Sequence, residues 1–128
     1  MSLKVPANLL QQANQGSIGD AEFIACIRES LPYAWSVVTE VAEKLSAGGG
    51  EFADNQTPPP DETARGELLR LLASDAMRGA VERHFGVREA YQNCHRLALF
   101  DPRAQDAFQD FVSPRQQVLN QRPEFVNC

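Results

Sequence analysis

Apolar residues recur along most of this chain at the spacing of amphipathic helices. They fall at i, i+3, i+4 and i+7 in several stretches bounded by Gly or Pro, which predicts short helices with one buried side each. The predicted helices span residues 7–14, 21–31, 33–46, 61–85, 87–99, 101–111 and 114–119. We therefore predict an all-α protein, a compact cluster of six to eight short helices.

Two of these stretches allow a second interpretation. Residues 61–85 form either one helix or two, because Ser74 and Asp75 have the side chains of a helix start in the middle of the stretch. In residues 87–99 the apolar positions fit helical spacing, but the closing letters LALF also suit a strand. A helix is the preferred prediction there. The alternative is an α+β fold with a strand within residues 87–100.

The segment AGGGEFADNQTPPP, residues 47–60, interrupts the helical pattern with a long polar loop. Three glycines begin it and three prolines end it, so we expect neither helix nor strand in this segment. Loops of this length in compact domains are usually functional or disordered. Because Phe52 is apolar and Pro58–Pro60 are stiff, we expect an ordered loop between the two halves of a single helical domain, residues 1–128.

The net charge of −5 argues against partners such as nucleic acid or an anionic membrane, since both attract positive surfaces. The basic residues are unevenly distributed, and residues 61–128 contain nine arginines and no lysine. Clustered arginines in residues 61–128 can bind carboxylates or phosphates, although arginines on helices more often pair with neighbouring acidic residues.

The first apolar stretch, at Leu9 and Leu10, is too short for a signal peptide or membrane span. With three cysteines read as reduced thiols, a cytoplasmic location is expected.

The sequence contains none of the common catalytic or cofactor motifs. Walker, GxSxG, HExxH and CxxC patterns are all missing, and we predict neither a cofactor nor a metal. Cys26, Cys94, His95 and Cys128 offer the donor types of a zinc site, and Cys94 beside His95 or His84 offers a thiol nucleophile. Packing of the thiols in the core is the stronger interpretation, because adjacent side chains on a helix point to different sides.

The polar loop is the best candidate for a functional site. Its carboxylates and amides can orient a polar ligand or take part in proton transfer, and guanidinium groups from the second half of the chain can contact an anion. A solvated connector is the alternative interpretation of the loop. The candidate binding residues are Glu51, Asp54, Asn55, Gln56, Arg78, Arg83 and Arg96.

Several strings of residues carry a resemblance to a known family. SLPYAW (30–35), EFADNQTPPP (51–60), RHFGV (83–87) and QNCHR (92–96) resemble a family of small actinobacterial proteins that has no assigned activity. The resemblance extends over nearly the whole chain, including the tail from Asn120 to Cys128. It implies no catalytic or binding residue.

Two classes of function are consistent with these patterns. The small size, the missing enzyme motifs and the apolar Phe125 and Val126 of the tail favour a non-catalytic interaction or accessory subunit. Such a subunit binds another protein chain or associates with itself, for example as part of a biosynthetic enzyme. The alternative is a small-molecule enzyme, or the smaller half of one, that uses the loop Glu51–Thr57 and the arginines on an anionic substrate.

Overall fold

The computed structural model describes residues 2–93 and 95–121, over which the chain forms seven helices and three strands. The helices are α1 (Ala7–Asn14), α2 (Asp20–Ser30), α3 (Pro32–Gly48), α4 (Glu62–Leu72), α5 (Asp75–Phe85), α6 (Gln105–Phe111) and α7 (Pro114–Leu119). The strands are β1 (Phe52–Asp54), β2 (Arg88–Gln92) and β3 (Arg96–Phe100). The fold is mostly helical, as predicted, but the prediction of a purely all-α protein is wrong. None of the helices in this part of the chain combines the length and apolar character needed to cross a membrane.

Local side-chain signals set several helix ends. A carboxylate oxygen of Asp61 accepts a hydrogen bond from the N–H of Ala64 at the start of α4, and the Ser74 hydroxyl accepts one from the N–H of Met77 at the start of α5. Residues 61–85 therefore form two helices. Gly86 ends α5 with φ of 65°, in the left-handed region where residues with a Cβ are strained.

The start of α3 depends on a residue from another helix. Its N-cap, Leu31, makes no side-chain hydrogen bond, and Pro32 occupies the first helical position. The buried Glu67 of α4 accepts a hydrogen bond from the N–H of Tyr33 at 2.9 Å. Because the first N–H groups of a helix have no partner within it, this contact caps α3 and holds α4 against it.

The three strands form one antiparallel sheet in the order β1-β3-β2. Phe100 of the central strand pairs with Phe52 on one side and with Arg88 on the other. The expectation that residues 47–60 contain neither helix nor strand is therefore wrong at Phe52–Asp54, and also at residues 47–48, which belong to α3. These three residues obtain their hydrogen-bond partners from β3, a distant part of the chain that a local pattern does not include.

The predicted helix over residues 87–99 is also wrong, because β2 and β3 form a hairpin there. The chain reverses after Asn93, whose φ is 56°. The residues Leu97–Phe100 point alternately to the two faces of the sheet, and all four are buried. A strand covered on both faces has a continuous apolar run, which periodicity alone does not separate from a buried helix. The α+β alternative, with a strand within residues 87–100, is the correct one.

Apolar clusters cover both faces of the sheet. On one face Leu97 and Leu99 join the large core formed by α2, α3, α4 and α5. On the other face Ala98 and Phe100 pack against Phe111 of α6. The sheet thus lies between the helical layer and α6. Buried members of the large core include Ile24, Ile27, Leu31, Val38, Val41, Leu68, Leu71, Met77 and Val81.

Candidate functional site

Asp54 and Arg96, both predicted site residues, form an ion pair on the sheet. Asp54 pairs in register with Ala98, two residues after Arg96, so the side chains of the ion pair project from the same face. Nε of Arg96 donates to Oδ2 of Asp54 at 2.7 Å, and the two side chains are only 14% and 16% exposed. Because both groups are largely removed from water, their mutual attraction is stronger than in a typical surface pair, while the loss of hydration opposes it.

Arg96 extends this contact into a series of amide hydrogen bonds. Its Nη1 donates to Oε1 of Gln92 at 3.0 Å, and Nε2 of Gln92 donates to the backbone carbonyl of Phe111. Nδ2 of Asn120, directly after α7, donates to the same Oε1 of Gln92 at 3.2 Å. We term Asp54, Arg96, Gln92 and Asn120 the polar chain. It connects the predicted loop to α7.

Asn55 and Gln56 have different environments. Asn55 is buried, and its Nδ2 donates to the backbone carbonyls of Thr57 and His95, each at 3.2 Å. Its Oδ1 accepts from the N–H of Thr57 at 3.1 Å. Gln56 is exposed, and its Nε2 lies 3.3 Å from Oδ2 of Asp54. Asn55 therefore fixes the loop against the hairpin turn, whereas Gln56 is presented to solvent.

Helix α7 has no buried residue and leaves apolar side chains exposed. Val118 and Leu119 are 71% and 60% exposed, and Val112, just before α7, is 47% exposed. The helix is held in part by amides, since Nε2 of Gln117 donates to Oδ1 of Asn93 at 3.3 Å. We term Val112, Val118 and Leu119 the α7 apolar surface. Apolar side chains bordered by hydrogen-bonding groups are typical of protein interfaces.

The other predicted residues lie in separate parts of the molecule. Arg83 on α5 forms an exposed ion pair with Asp20 on α2, with N–O distances of 2.7 and 3.0 Å. Arg78 pairs with an acid one turn earlier in α5. Glu51 lies at the rim of an open cleft of about 430 Å³, which Arg103 also lines. The structure therefore joins Arg96 to the loop but not Arg78 or Arg83.

A further pocket, of about 340 Å³, lies where α5, the edge of β2 and α6 meet. Glu89 is only 6% exposed there, and neither of its carboxyl oxygens has a hydrogen-bond partner in the described part of the chain. The N–H of Glu89 donates to Oε2 of Glu82 at 2.9 Å, which holds the two acids close together. We term this site the Glu89 pocket. Its lining residues are Asp75, Arg78, Gly79, Glu82, Arg88, Glu89 and Phe108.

The surroundings of Glu89 change its acidity. Burial raises the pKa of its carboxyl group to about 8, the nearby Glu82 acts in the same direction, and Arg78 acts in the opposite one. Glu89 is therefore mainly protonated at pH 7. Arg78 has a buried Nε without a hydrogen-bond partner among the described residues. Arg88 lies over the ring of Phe108, with its guanidinium carbon 3.6 Å from the ring centroid.

Sequence reasoning missed Glu89 and Glu82. In the predicted helix 87–99, Glu89 lies off the apolar stripe, so no pattern marked it as buried. In the observed strand, alternation places Glu89 on the same face as Tyr91, which packs against the large core. A charged residue at an inward position of a strand is the signal that would have identified it.

The cysteine and histidine hypotheses are only partly covered by the described residues. Cys26 is buried in α2, and its thiol donates to the backbone carbonyl of Lys4 at 3.5 Å. His95 is fully buried in the hairpin turn rather than on a helix surface, and burial lowers the pKa of its imidazole. Within residues 2–93 and 95–121, no group of three or more His, Cys, Asp and Glu residues could hold a metal ion. Four residues of the earlier hypotheses lie outside these ranges: Cys94, Phe125, Val126 and Cys128.

Comparison with known proteins places the chain in a family. A family model described as NucS shadow ORF matches residues 1–128, and this description states no activity, ligand or organism. A search of curated proteins and a search of solved structures found no match. The expected membership of a family without an assigned activity is thus confirmed. Since the match extends over the full sequence, this protein belongs to the NucS shadow ORF family.

Proposed function

We propose that this protein is a non-catalytic interaction or accessory subunit that binds another protein chain through the α7 apolar surface. The observation that carries the proposal is the exposure of Val118 and Leu119 on a helix without buried residues. Full burial of one such side chain stabilises a complex by roughly 1.5–3 kcal/mol. A partner that covers α7 gains part of this free energy, because both side chains are already partly covered and association itself costs entropy.

The internal pairing of the loop's polar side chains supports binding over catalysis. A catalytic carboxylate must reach its substrate, but Asp54 is held by Arg96, and the amide of Asn55 is used by the backbone. In this proposal Asp54, Asn55 and Arg96 keep the loop and the polar chain in place. The exposed Gln56, beside Asp54 at one end of the polar chain, contacts the partner at the edge of the interface, whereas the exposed Glu51 lies at the opposite end of β1 beside Asp101.

The favoured partner is a different protein rather than a second copy. Each copy carries a net charge of −5, and like charges oppose self-association. Exposed amides such as Gln117 supply the polar rim of the interface. We further propose that the chain is a single-domain, cytoplasmic, actinobacterial subunit, for example part of a biosynthetic enzyme.

We expect no nucleic-acid partner. The matching family model also carries the letters KH in its name, and KH modules clamp an RNA backbone with a GXXG loop. This chain has that spacing once, at Gly16–Gly19 between α1 and α2. The carboxylate of Glu22 lies so close to Gly19 that a Cβ there would overlap it. The spacing alone does not identify an RNA-binding loop, and a carboxylate in this position repels phosphate, which agrees with the absence of a nucleic-acid partner in our proposal.

A small-molecule enzyme that uses the loop Glu51–Thr57 on an anionic substrate is the second proposal. Its structural support is the open cleft of about 430 Å³ beside Glu51 and Arg103. Arg103 already pairs with Asp101 at 2.9 Å, and its hydrogen bond lowers the pKa of Asp101 to about 2. Because this arginine is engaged, the cleft has little free positive charge for an anion, and the binding role is favoured.

Capture of partners from the native host tests the proposed interaction. We expect the wild-type chain to retain a protein that the Leu119→Ser variant loses, because the substitution removes apolar contact area. Leu10→Ser is the matched control, since Leu10 on α1 is 55% exposed and Leu119 is 60% exposed. Both leucines are mainly in water, so both variants should unfold cooperatively at nearly the wild-type temperature.

Two results contradict the proposal. One is equal recovery of the same proteins by the wild type and both variants. The other is a stable wild-type homodimer, measured by light scattering, that Leu119→Ser dissociates, because the α7 apolar surface would then serve self-association.

A further inference from the structure

The Glu89 pocket is independent of the α7 apolar surface and has the features of a small-molecule site. Its volume of about 340 Å³ is in the usual range for ligand pockets. Both carboxyl oxygens of Glu89 and the Nε of Arg78 are buried without hydrogen-bond partners in the described part of the chain. Buried polar groups normally have partners, so a bound ligand accounts for these atoms.

We propose that the Glu89 pocket binds a small molecule with a primary ammonium group and a nearby oxygen acceptor, the chemistry of an amino acid or amino alcohol. The ammonium group contacts the carboxyl groups of Glu89 and Glu82. The oxygen of the ligand accepts a hydrogen bond from Nε of Arg78. This site does not depend on the protein partner proposed above.

The charges that line the pocket favour an ammonium group over an anion as the main ligand group. The arginines are only partly available: Arg78 pairs with Asp75 through Nη2, which leaves its Nε for a ligand oxygen, and Arg88 lies over an aromatic ring. Glu82 and Glu89 lie together, so once Glu89 is ionised a cation between them offsets the repulsion of the two carboxylates, whereas an anion would be repelled by them. The described residues offer no set of three metal ligands, and an organic cation therefore fits better than a metal ion.

Binding of the ammonium group releases one proton. In the free protein Glu89 holds a proton at pH 7, because burial and Glu82 raise its pKa to about 8. On binding, the O–H bond of Glu89 breaks, the proton passes to solvent, and the carboxylate forms a charge-assisted hydrogen bond with the ammonium group. The affinity should therefore rise close to tenfold per pH unit from about pH 5 to about pH 7 and level off above about pH 8. The charged groups facing Glu89 are Asp75, Arg78 and Glu82 from α5 and Arg88 from β2.

NMR titration of the full ¹⁵N-labelled chain with n-propylamine, β-alanine and propionate tests this assignment. These molecules have similar size and differ in charge. We expect n-propylamine and β-alanine to shift the amide signals of α5 and β2 saturably, with tighter binding of β-alanine because its carboxylate reaches Arg78. Propionate should cause no saturable shift. The proposal is overturned if neither amine binds, or if propionate binds as tightly as the amines.

Matched variants connect the binding to Glu89. Glu89→Gln should weaken amine binding at least tenfold at about pH 7.5 and remove its pH dependence, because an amide does not become an anion. Glu29→Gln, an exposed acid on α2, should retain wild-type affinity. If Glu89→Gln does not fold, Glu82→Gln, on the half-buried side of the pocket, should weaken amine binding and move its pH dependence to lower pH, because Glu89 loses a neighbouring charge that raises its pKa. Unchanged affinity in the pocket variant, or pH-independent affinity in the wild type, refutes the site.

Discussion

Glu89 should make the stability of the wild-type protein depend on pH, and Glu89→Gln should remove this dependence. The carboxyl group is 6% exposed, and burial raises its pKa from 4.5 to about 8. In the unfolded chain the pKa returns to its ordinary value. Between these two values the folded state holds a proton that the unfolded state has lost. Stability therefore falls as the pH rises through this interval and changes no further above about 8.

The size of the effect follows from the two pKa values. Within the interval, each pH unit lowers the free energy of unfolding by about 1.4 kcal/mol. From about pH 5 to about pH 7.5, Glu89 alone should lower it by about 3 kcal/mol, a substantial part of the total for a domain of this size. His95 has the opposite sign, because burial lowers its pKa and stability rises as it loses its proton. The difference between wild type and Glu89→Gln cancels such contributions.

Urea unfolding at about pH 5 and about pH 7.5 provides the measurement, since both values lie inside the relevant interval. Circular dichroism reports on the helices, and fluorescence reports on Trp35, the single tryptophan. We expect the wild-type stability to fall relative to that of Glu89→Gln by about 3 kcal/mol between the two pH values. The exposed control Glu29→Gln should follow the wild type. Parallel behaviour of wild type and Glu89→Gln would refute the burial of an ionisable carboxyl group.

Three further substitutions test other contacts, all by urea unfolding at neutral pH. Asp54→Ala removes the partner of the largely buried Arg96 and should lower the free energy of unfolding by roughly 1–3 kcal/mol. The control Glu40→Ala breaks the exposed pair with Lys44 and should lower it by less than about 0.5 kcal/mol. Equal losses in the two variants would contradict the burial of the Asp54–Arg96 pair. Ser74→Ala removes the cap of α5 and should cost about 1 kcal/mol, so no loss would mean that this hydrogen bond is not formed. Phe100→Ala removes a fully buried ring that packs against Phe108 and Phe111, and it should lower the free energy of unfolding by about 3–5 kcal/mol. A loss below about 1 kcal/mol would contradict the packing of α6 on the sheet.

The sequence grouped the candidate residues that lie in the loop 47–60, because they are close together along the chain. It did not show which strand pairs with the loop. Gly and Pro around residues 47–60 marked an ordered connector, and Arg96 was named as a residue that could join it. The partner of Asp54, however, is 42 positions away, and only the register of β1 with β3 brings the two side chains together. Glu89 was missed because its burial depends on the strand that replaced the predicted helix.

The sequence by itself determined the elements whose hydrogen bonds close within a few residues. Helices α1 and α7 begin and end where the apolar spacing predicted. For residues 61–85, where the sequence allowed one helix or two, the caps at Asp61 and Ser74 produce two. A helix joins each N–H to a carbonyl four residues earlier, so its signals are local.

Only the tertiary structure decided the sheet, the capping of α3 by Glu67 and the burial of Glu89. Each of these features depends on a group supplied by another part of the chain. The short strand β1 exists because β3 supplies its hydrogen-bond partners, and the run LALF became a strand because apolar layers cover both of its faces. A pattern of nearby residues carries no information about strand partners from distant parts of the chain. Long-range pairing and burial therefore decided between helix and strand for these segments.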